Sequence, residues 1–221
     1  MTPYISYAIT ASTEHLELER LLGFLKSKIT PDDEVVIQLD SETVTSKVRE
    51  VCNLYSNFDH TDCLESFAIK NCNVVEFPLN KDFATFKNNL RDVCSGVYIL
   101  QLDADEIPSE VLLENIYQVA NIMSYNQIDL AYLPRVNTVE GITPEYIRSQ
   151  GWTVTDDGRI NYPDYQGRLY KREGSVWEGK VHERLVSSKY HTILPEKYYL
   201  QHSKSFEKQI QQNNFYQTIN G

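Results

Sequence analysis

Three acids in four positions, Asp103, Asp105 and Glu106, follow directly on the apolar run Tyr98-Ile99-Leu100-Gln101-Leu102. Carboxylates set so closely repel one another unless a cation joins them. Hard divalent ions such as Mg2+ and Mn2+ take one or two carboxylates and complete their shell with phosphate oxygens, so an ion held here would neutralise a departing diphosphate. That chemistry makes Asp103 and Asp105 candidate metal ligands. The competing reading is an acidic turn that caps the next helix, where negative charge is favoured. A second charged segment carries Arg168, Lys171, Arg172, Lys180 and Arg184 against Glu173, Glu178 and Glu183, a local balance that suits contact with phosphate.

The acids need a scaffold to deliver them. Residues 4–10 read as a strand, and Leu18, Leu21, Leu22 and Leu25 follow at helical spacing with Thr13 placed to cap the start. The unit repeats: a short apolar run at 34–39 ends at Asp40 and precedes a helical stretch at 43–55. A third strand at 73–77 stops at Pro78, and Phe83, Phe86, Leu90 and Val93 form a helical stripe that Asp82 can cap. The strand at 97–102 then leads into the acids. Past Pro108, Ser109 can cap a helix carrying Leu112, Ile116, Val119 and Met123, and 129–136 reads as another strand. Alternation of this kind predicts an α/β fold with a mainly parallel sheet covered by helices on both faces, and such sheets bind ligands beyond the carboxyl ends of their strands. Asp40 and Asp103 lie at two of those ends. Residues 137–167 carry weak signals and read as a long binding loop, where acceptor choice would reside.

Length and charge narrow the class. The 221 residues suit a single domain, and 41% hydrophobic residues suffice for its core. A net charge of -10 argues against binding nucleic acid through bulk charge. No apolar run is long enough to span a membrane and the start lacks a signal pattern, so a cytoplasmic protein is expected. Cys52, Cys63, Cys72 and Cys94 form no Cys-x-x-Cys pair and read as buried thiols. There is no Gly-x-Gly-x-x-Gly after a strand, no Gly-Lys-Ser/Thr loop, and Pro108 stands where an EF-hand needs glycine. A phosphohydrolase using the first Asp as nucleophile is disfavoured, because three strand-helix units precede the acids and Glu106-Ile107-Pro108 lacks the expected small hydroxyl residue.

The chain resembles family 2 glycosyltransferases. The likeness rests on the opening strand ending at Thr10, on Ile37-Gln38-Leu39-Asp40-Ser41, and on Lys87-Asn88-Asn89-Leu90 upstream of Gln101-Leu102-Asp103-Ala104-Asp105-Glu106. In the second half, Trp177-Glu178-Gly179-Lys180-Val181-His182-Glu183 and the preceding Tyr162-Pro163-Asp164-Tyr165-Gln166-Gly167-Arg168 look like the branch that includes lipopolysaccharide-core glucosyltransferases. The resemblance implies a single GT-A domain over 1–221, with a nucleotide-sugar-binding half at 1–106 and an acceptor and catalytic half at 107–221. It implies a nucleoside-diphosphate sugar donor, with a leaning to UDP, and a glycan or other hydroxyl acceptor. Thr10, Asp40, Lys87 and Asp103 would contact the nucleotide sugar, and Asp103, Asp105 and His202 would hold Mn2+ or Mg2+.

An inverting transfer needs a base to take the acceptor proton, a role Glu183 can fill with Asp164 as its rival. An ion pair of Glu183 with Arg184 or Lys180 is the plainer reading. Trp177 and His182 are candidate sugar or acceptor contacts. For Trp177, as for Trp152, Tyr162 and Tyr165, a place in the core is the alternative; His15, His60 and His191 have no such context. A catalytically silent nucleotide-sugar-binding partner subunit is the other class of function these residues would suit.

Overall fold

The computed structural model describes residues 4–56, 67–186 and 190–220, so Cys63 and His60 lie outside the described residues. The opening half follows the expected alternation: β1 (Ile5–Ala11), α1 (His15–Lys26), β2 (Glu34–Asp40), α2 (Ser46–Ser56), β3 (Cys72–Phe77), α3 (Phe83–Val93) and β4 (Tyr98–Asp103). A three-residue strand β5 (Glu106–Pro108) and α4 (Glu110–Tyr125) follow, then β6 (Leu130–Glu140), α5 (Pro144–Gln150), β7 (Ile160–Lys171), β8 (Trp177–Glu178), β9 (Arg184–Leu185), β10 (His191–Ile193), β11 (Leu200–Ser205) and α6 (Phe206–Asn220).

Among the described residues, nine strands join one mixed sheet in the order β3-β2-β1-β4-β7-β6-β11-β5, with β10 paired to the start of β6. The first four strands are parallel, and β7 turns antiparallel between β4 and β6. Strands buried on both faces read as continuous apolar runs, and every residue of β1 except Thr10 is buried. Leu18, Leu21, Leu22 and Leu25 of α1, with Leu112, Ile116 and Met123 of α4, pack into the main core. Ala84 and Leu90 of α3 join Ala8, Val36, Ile99 and Trp177 in a second cluster, which matches helices on both faces. Burial pushes the thiols of Cys52, Cys72 and Cys94 up to about 11, 12 and 12, as expected of inert core sulfurs. No described helix is long and apolar enough to cross a membrane.

Two caps are where the sequence puts them: Asp82 accepts from the Thr85 amide at 3.0 Å, and Ser109 from Leu112 at 3.2 Å. Thr13 is not a cap. The α1 N-cap is Glu14, whose carboxylate folds back to accept from the Ser12 and Thr13 amides. The larger departure is at 137–167, which is not one long loop. Asn137, Thr138, Val139 and Glu140 continue β6 because they pair with His202 through Ser205 of β11, and residues 160–167 pair back on β6. Long-range pairing here overrides a sequence without strand-like apolar alternation. The same pairing carries β11 to Ser205, and α6 starts directly after it at Phe206.

Candidate active site

The parallel register sets Thr10 of β1 beside Asp103 of β4, and the Thr10 hydroxyl donates to Asp103 Oδ1 at 2.8 Å. The same oxygen faces Lys87 Nζ at 3.3 Å, while Asp103 Oδ2 meets Arg168 Nη2 at 2.6 Å. Burial alone would raise the Asp103 carboxyl; Arg168, Lys87, Thr10 and Arg135 outweigh it and hold the group well below the usual carboxylate range. With both oxygens engaged, Asp103 anchors the ionic net of this edge.

Lys87 lies on the buried face of α3 and is only 3% exposed. Its ammonium bridges Asp103 to Glu183 Oε1, at 2.7 Å, and stands 5.0 Å above the Trp177 ring. Glu183 is thus paired with Lys87, not with Lys180 or Arg184, and its second oxygen has no hydrogen-bond partner among the described residues. Trp177 is 4% exposed and donates through its indole N–H to the Tyr170 hydroxyl at 3.3 Å. It is a floor beneath Lys87, so the expected open sugar-stacking face is absent from it. Asn88 explains the rest of that motif: it donates to the Trp177 carbonyl at 2.8 Å and accepts from the Trp177 amide at 2.9 Å, fixing α3 to β8. Asn89 donates to Gln38 Oε1 at 2.7 Å, holding α3 on β2.

The loop from β8 to Glu183 is itself constrained. Gly179 has φ +100° and His182 φ +56°, both left-handed, and the Phe83 amide at the start of α3 donates to the Lys180 carbonyl at 3.0 Å. His182 is exposed, with its ring 5.9 Å from that of Tyr216. No hydrogen bond links it to Glu183 among the described residues. Tyr216, from α6, carries no signal in the sequence; it packs against Phe83 and His182, and burial and then the Asp103 and Glu183 charges push its hydroxyl up to about 12.

A second set comes from β6, β7 and β11. Asp164 accepts from Arg135 at 2.7 and 2.9 Å, from Asn137 at 2.8 Å and from Gln166 at 2.6 Å. Burial opposes its ionisation, but these partners lower its pKa. A carboxylate so fully donated to is poorly placed to accept a further proton, whereas Glu183 is met at one oxygen, by Lys87. Arg135 and Arg168 share Glu106 Oε1 at 3.1 and 2.7 Å. A register shift in the β6–β7 pairing leaves Arg168 without a partner on β6, and bulges of this kind re-aim side chains.

Asp105 faces His202 Nε2 at 3.5 Å and Lys204 Nζ at 3.4 Å through one oxygen, Oδ2. Its pKa is lowered, burial being overcome by the His202 hydrogen bond and charge and by Lys204. Asn137 gives its amide N–H to Asp164, so its Oδ1 faces His202 Nδ1 at 2.7 Å and the imidazole must donate there. With Nδ1 fixed on Asn137, an ion taking the place of the Nε2 hydrogen would meet both the imidazole nitrogen and Asp105, and Asn137 would then be the outer partner that a metal-ligating histidine has. An Asp105 oxygen with a His202 nitrogen fits Mn2+ better than Mg2+, which prefers oxygen donors throughout, and phosphate oxygens would complete the shell. Among the described residues, no three His, Cys, Asp or Glu side chains form a ready metal cluster.

Asp40 stands apart from this net. It is 4% exposed and its oxygens accept from the Glu42 and Leu79 amides at 3.2 and 3.0 Å and from the Thr43 hydroxyl at 2.5 Å, so it ties the loops after β2 and β3 together. A cavity of about 410 Å³ lined by Val97, Tyr98, Asp129 and Lys171 opens at the opposite end of β4 and includes none of the candidate residues.

No protein-family model matches the sequence, and no curated protein matches it. Solved structures do. The S. aureus TarS 1-349 structure in complex with UDP matches with a TM-score of 0.59 at 12% identity, covering 90% of this chain and 60% of that one. The complex of the same fragment with UDP-GlcNAc matches with a TM-score of 0.57 at 12% identity, covering 91% and 58%. The structure of S. aureus TarS itself matches with a TM-score of 0.57 at 13% identity, covering 90% and 36%. The chain thus spans about 60% of the TarS fragment. At such identity the likeness concerns architecture alone: this chain has the GT-A fold.

Proposed function

We propose that the protein is a glycosyltransferase that moves a sugar from a nucleoside-diphosphate sugar, UDP-linked by preference, to an acceptor hydroxyl with inversion at the anomeric carbon. The observation that carries the reading is the meeting of Thr10, Asp103, Lys87 and Glu183 at the carboxyl edge of a GT-A sheet, with Asp105 and His202 beside them. Ligands of open α/β sheets bind at this edge. That TarS, with the same fold, has been seen with UDP and UDP-GlcNAc supports the donor class.

In this reading Thr10 and Asp103 face the donor's ribose and diphosphate side. Lys87 holds Glu183 by one oxygen and leaves the other to take the proton of the acceptor hydroxyl. The hydroxyl oxygen bonds to the anomeric carbon as the bond from that carbon to the diphosphate oxygen breaks on the opposite face, and the nucleoside diphosphate departs. A divalent ion on Asp105 and His202 would supply charge neutralisation for that leaving group. His182, exposed on the loop that carries Glu183, is the acceptor-side contact we retain; Trp177 acts through Lys87. The branch resembling lipopolysaccharide-core glucosyltransferases is our preferred sub-family and a glycan the preferred acceptor.

Thermal unfolding with a panel of nucleoside diphosphates, with and without Mn2+, tests the donor site. A ligand at about a hundred times its dissociation constant adds about 2.7 kcal/mol of stability. A shift with UDP supports the reading, and release of UDP from a UDP-sugar on adding acceptors establishes turnover. Binding without turnover of any donor would make the chain a silent partner subunit; no shift with any nucleotide would overturn the proposal.

A further inference from the structure

Among the described residues, four side-chain cations, Lys87, Arg135, Arg168 and Lys204, serve the carboxylates of this edge, and three of them are each shared between two acids. Lys87 serves Asp103 and Glu183, Arg168 serves Asp103 and Glu106, and Arg135 serves Glu106 and Asp164. Lys204 has one acid among the described residues, Asp105, at 3.4 Å. Its ammonium also donates to Gln212 Oε1 at 2.7 Å, and its side chain is 7% exposed. A buried ammonium is expensive without anionic partners, so a lysine given a single one at 3.4 Å has charge to spare for another. Strand geometry decides where that charge points. Lys204 and His202 are two residues apart on β11, hence on one face, and both reach the same oxygen of Asp105. The ammonium therefore stands next to where a divalent ion on Asp105 and His202 would sit, tethered to the fold.

We propose that Lys204 is a ligand of the donor's diphosphate that shares Asp105 with the divalent ion, so that the site binds a nucleoside diphosphate even without the ion. This rests on the donor-site reading above. A diphosphate brings two or three negative charges up to Asp103 and Asp105, and the other three cations are already committed to two acids each. Lys204 is the positive charge the arriving phosphates can draw on at no loss to a second ion pair. By the same geometry its ammonium competes with an added metal ion for Asp105.

The experiment is UDP binding by titration calorimetry in excess chelator and in Mn2+, on the whole chain and on K204M and K204R. The wild-type chain is expected to bind UDP in chelator. K204M should lose at least tenfold in affinity there and regain most of it in Mn2+, which also shows that the variant is folded, while K204R keeps the chelator-resistant binding. Paramagnetic resonance of added Mn2+ should show tighter binding of the ion by K204M than by wild type. UDP binding that needs Mn2+ in the wild type, or chelator-resistant binding unchanged in K204M, overturns this inference alone. Absence of binding by UDP and every other nucleoside diphosphate in both conditions overturns the donor-site reading, and this inference with it.

Discussion

The catalytic argument turns on one carboxylate oxygen. Glu183 Oε1 is held by Lys87 at 2.7 Å and the other oxygen is left to act, whereas both oxygens of Asp164 already accept from Arg135, Asn137 and Gln166. Glu183→Gln keeps the shape and the Lys87 contact but removes the proton acceptor, so UDP affinity should hold while turnover falls by about 10²-fold or more. Near-normal turnover would move the base to Asp164. Lys87→Met tests the clamp itself. Breaking a buried pair by removing one partner costs about 3–5 kcal/mol, but Asp103 keeps Arg168 and is 32% exposed, so about 2–3 kcal/mol is expected. In a domain of this size that lowers Tm by roughly 5–10 °C; an unchanged melting curve would deny Lys87 its structural share. Both residues were visible in the sequence, yet their contact was not. Glu183 has Lys180 and Arg184 as near neighbours in the chain, and only the packing of α3 against β8 selects Lys87 instead.

Elements decide how well that pair is held. Asn88 exchanges two hydrogen bonds with the backbone of Trp177, and the loop beyond runs through the left-handed Gly179 before reaching Glu183. Asn88→Leu would leave that amide and carbonyl unpaired where water is scarce, at a cost of about 1–3 kcal/mol each. We expect lower Tm together with lower turnover, because the loop carrying Glu183 loses its fixed end. A variant that melts earlier yet turns over normally would show that the clamp is structural only. Gly179 has φ +100°, and a Cβ there would meet Glu183 Cα at 3.5 Å. Gly179→Ala should therefore impair turnover more than UDP binding, measured as kcat against donor KM. The elements of the first half were legible because each buried strand is a continuous apolar run followed by a helical stripe. The end of β6 past Val136, and β7 and β11, were not, since residues such as Asn137, Asp164 and Lys204 face a charged site rather than a core. Their strand character comes from pairing partners far away in the chain.

At the scale of the molecule, an acidic chain with net charge -10 has gathered its cations where its acids are densest. The sequence shows Asp103, Asp105 and Glu106 as crowded acids and calls for an external cation. The fold answers most of that demand internally, with Arg135, Arg168, Lys87 and Lys204 brought in from three strands and a helix. This compensation sets the pH response. Asp103, Asp105 and Asp164 all titrate lower in the folded chain than the value of about 3.9 expected when unfolded. Between the two values the unfolded state binds more protons. The network's contribution is therefore complete above the unfolded pKa and is lost as pH falls through the folded ones. Tm should stay nearly level from pH 7 to about 5 and decline steadily below about 4. Asp164→Asn, which keeps the shape but removes the charge that Arg135 answers, should start from a lower Tm at pH 7 and decline less steeply in acid. Circular dichroism melts across that range decide the matter: a fall in wild-type Tm that begins between pH 7 and 6, or an Asp164→Asn curve parallel to wild type below pH 4, would show that these carboxylates do not hold the acid stability of the fold.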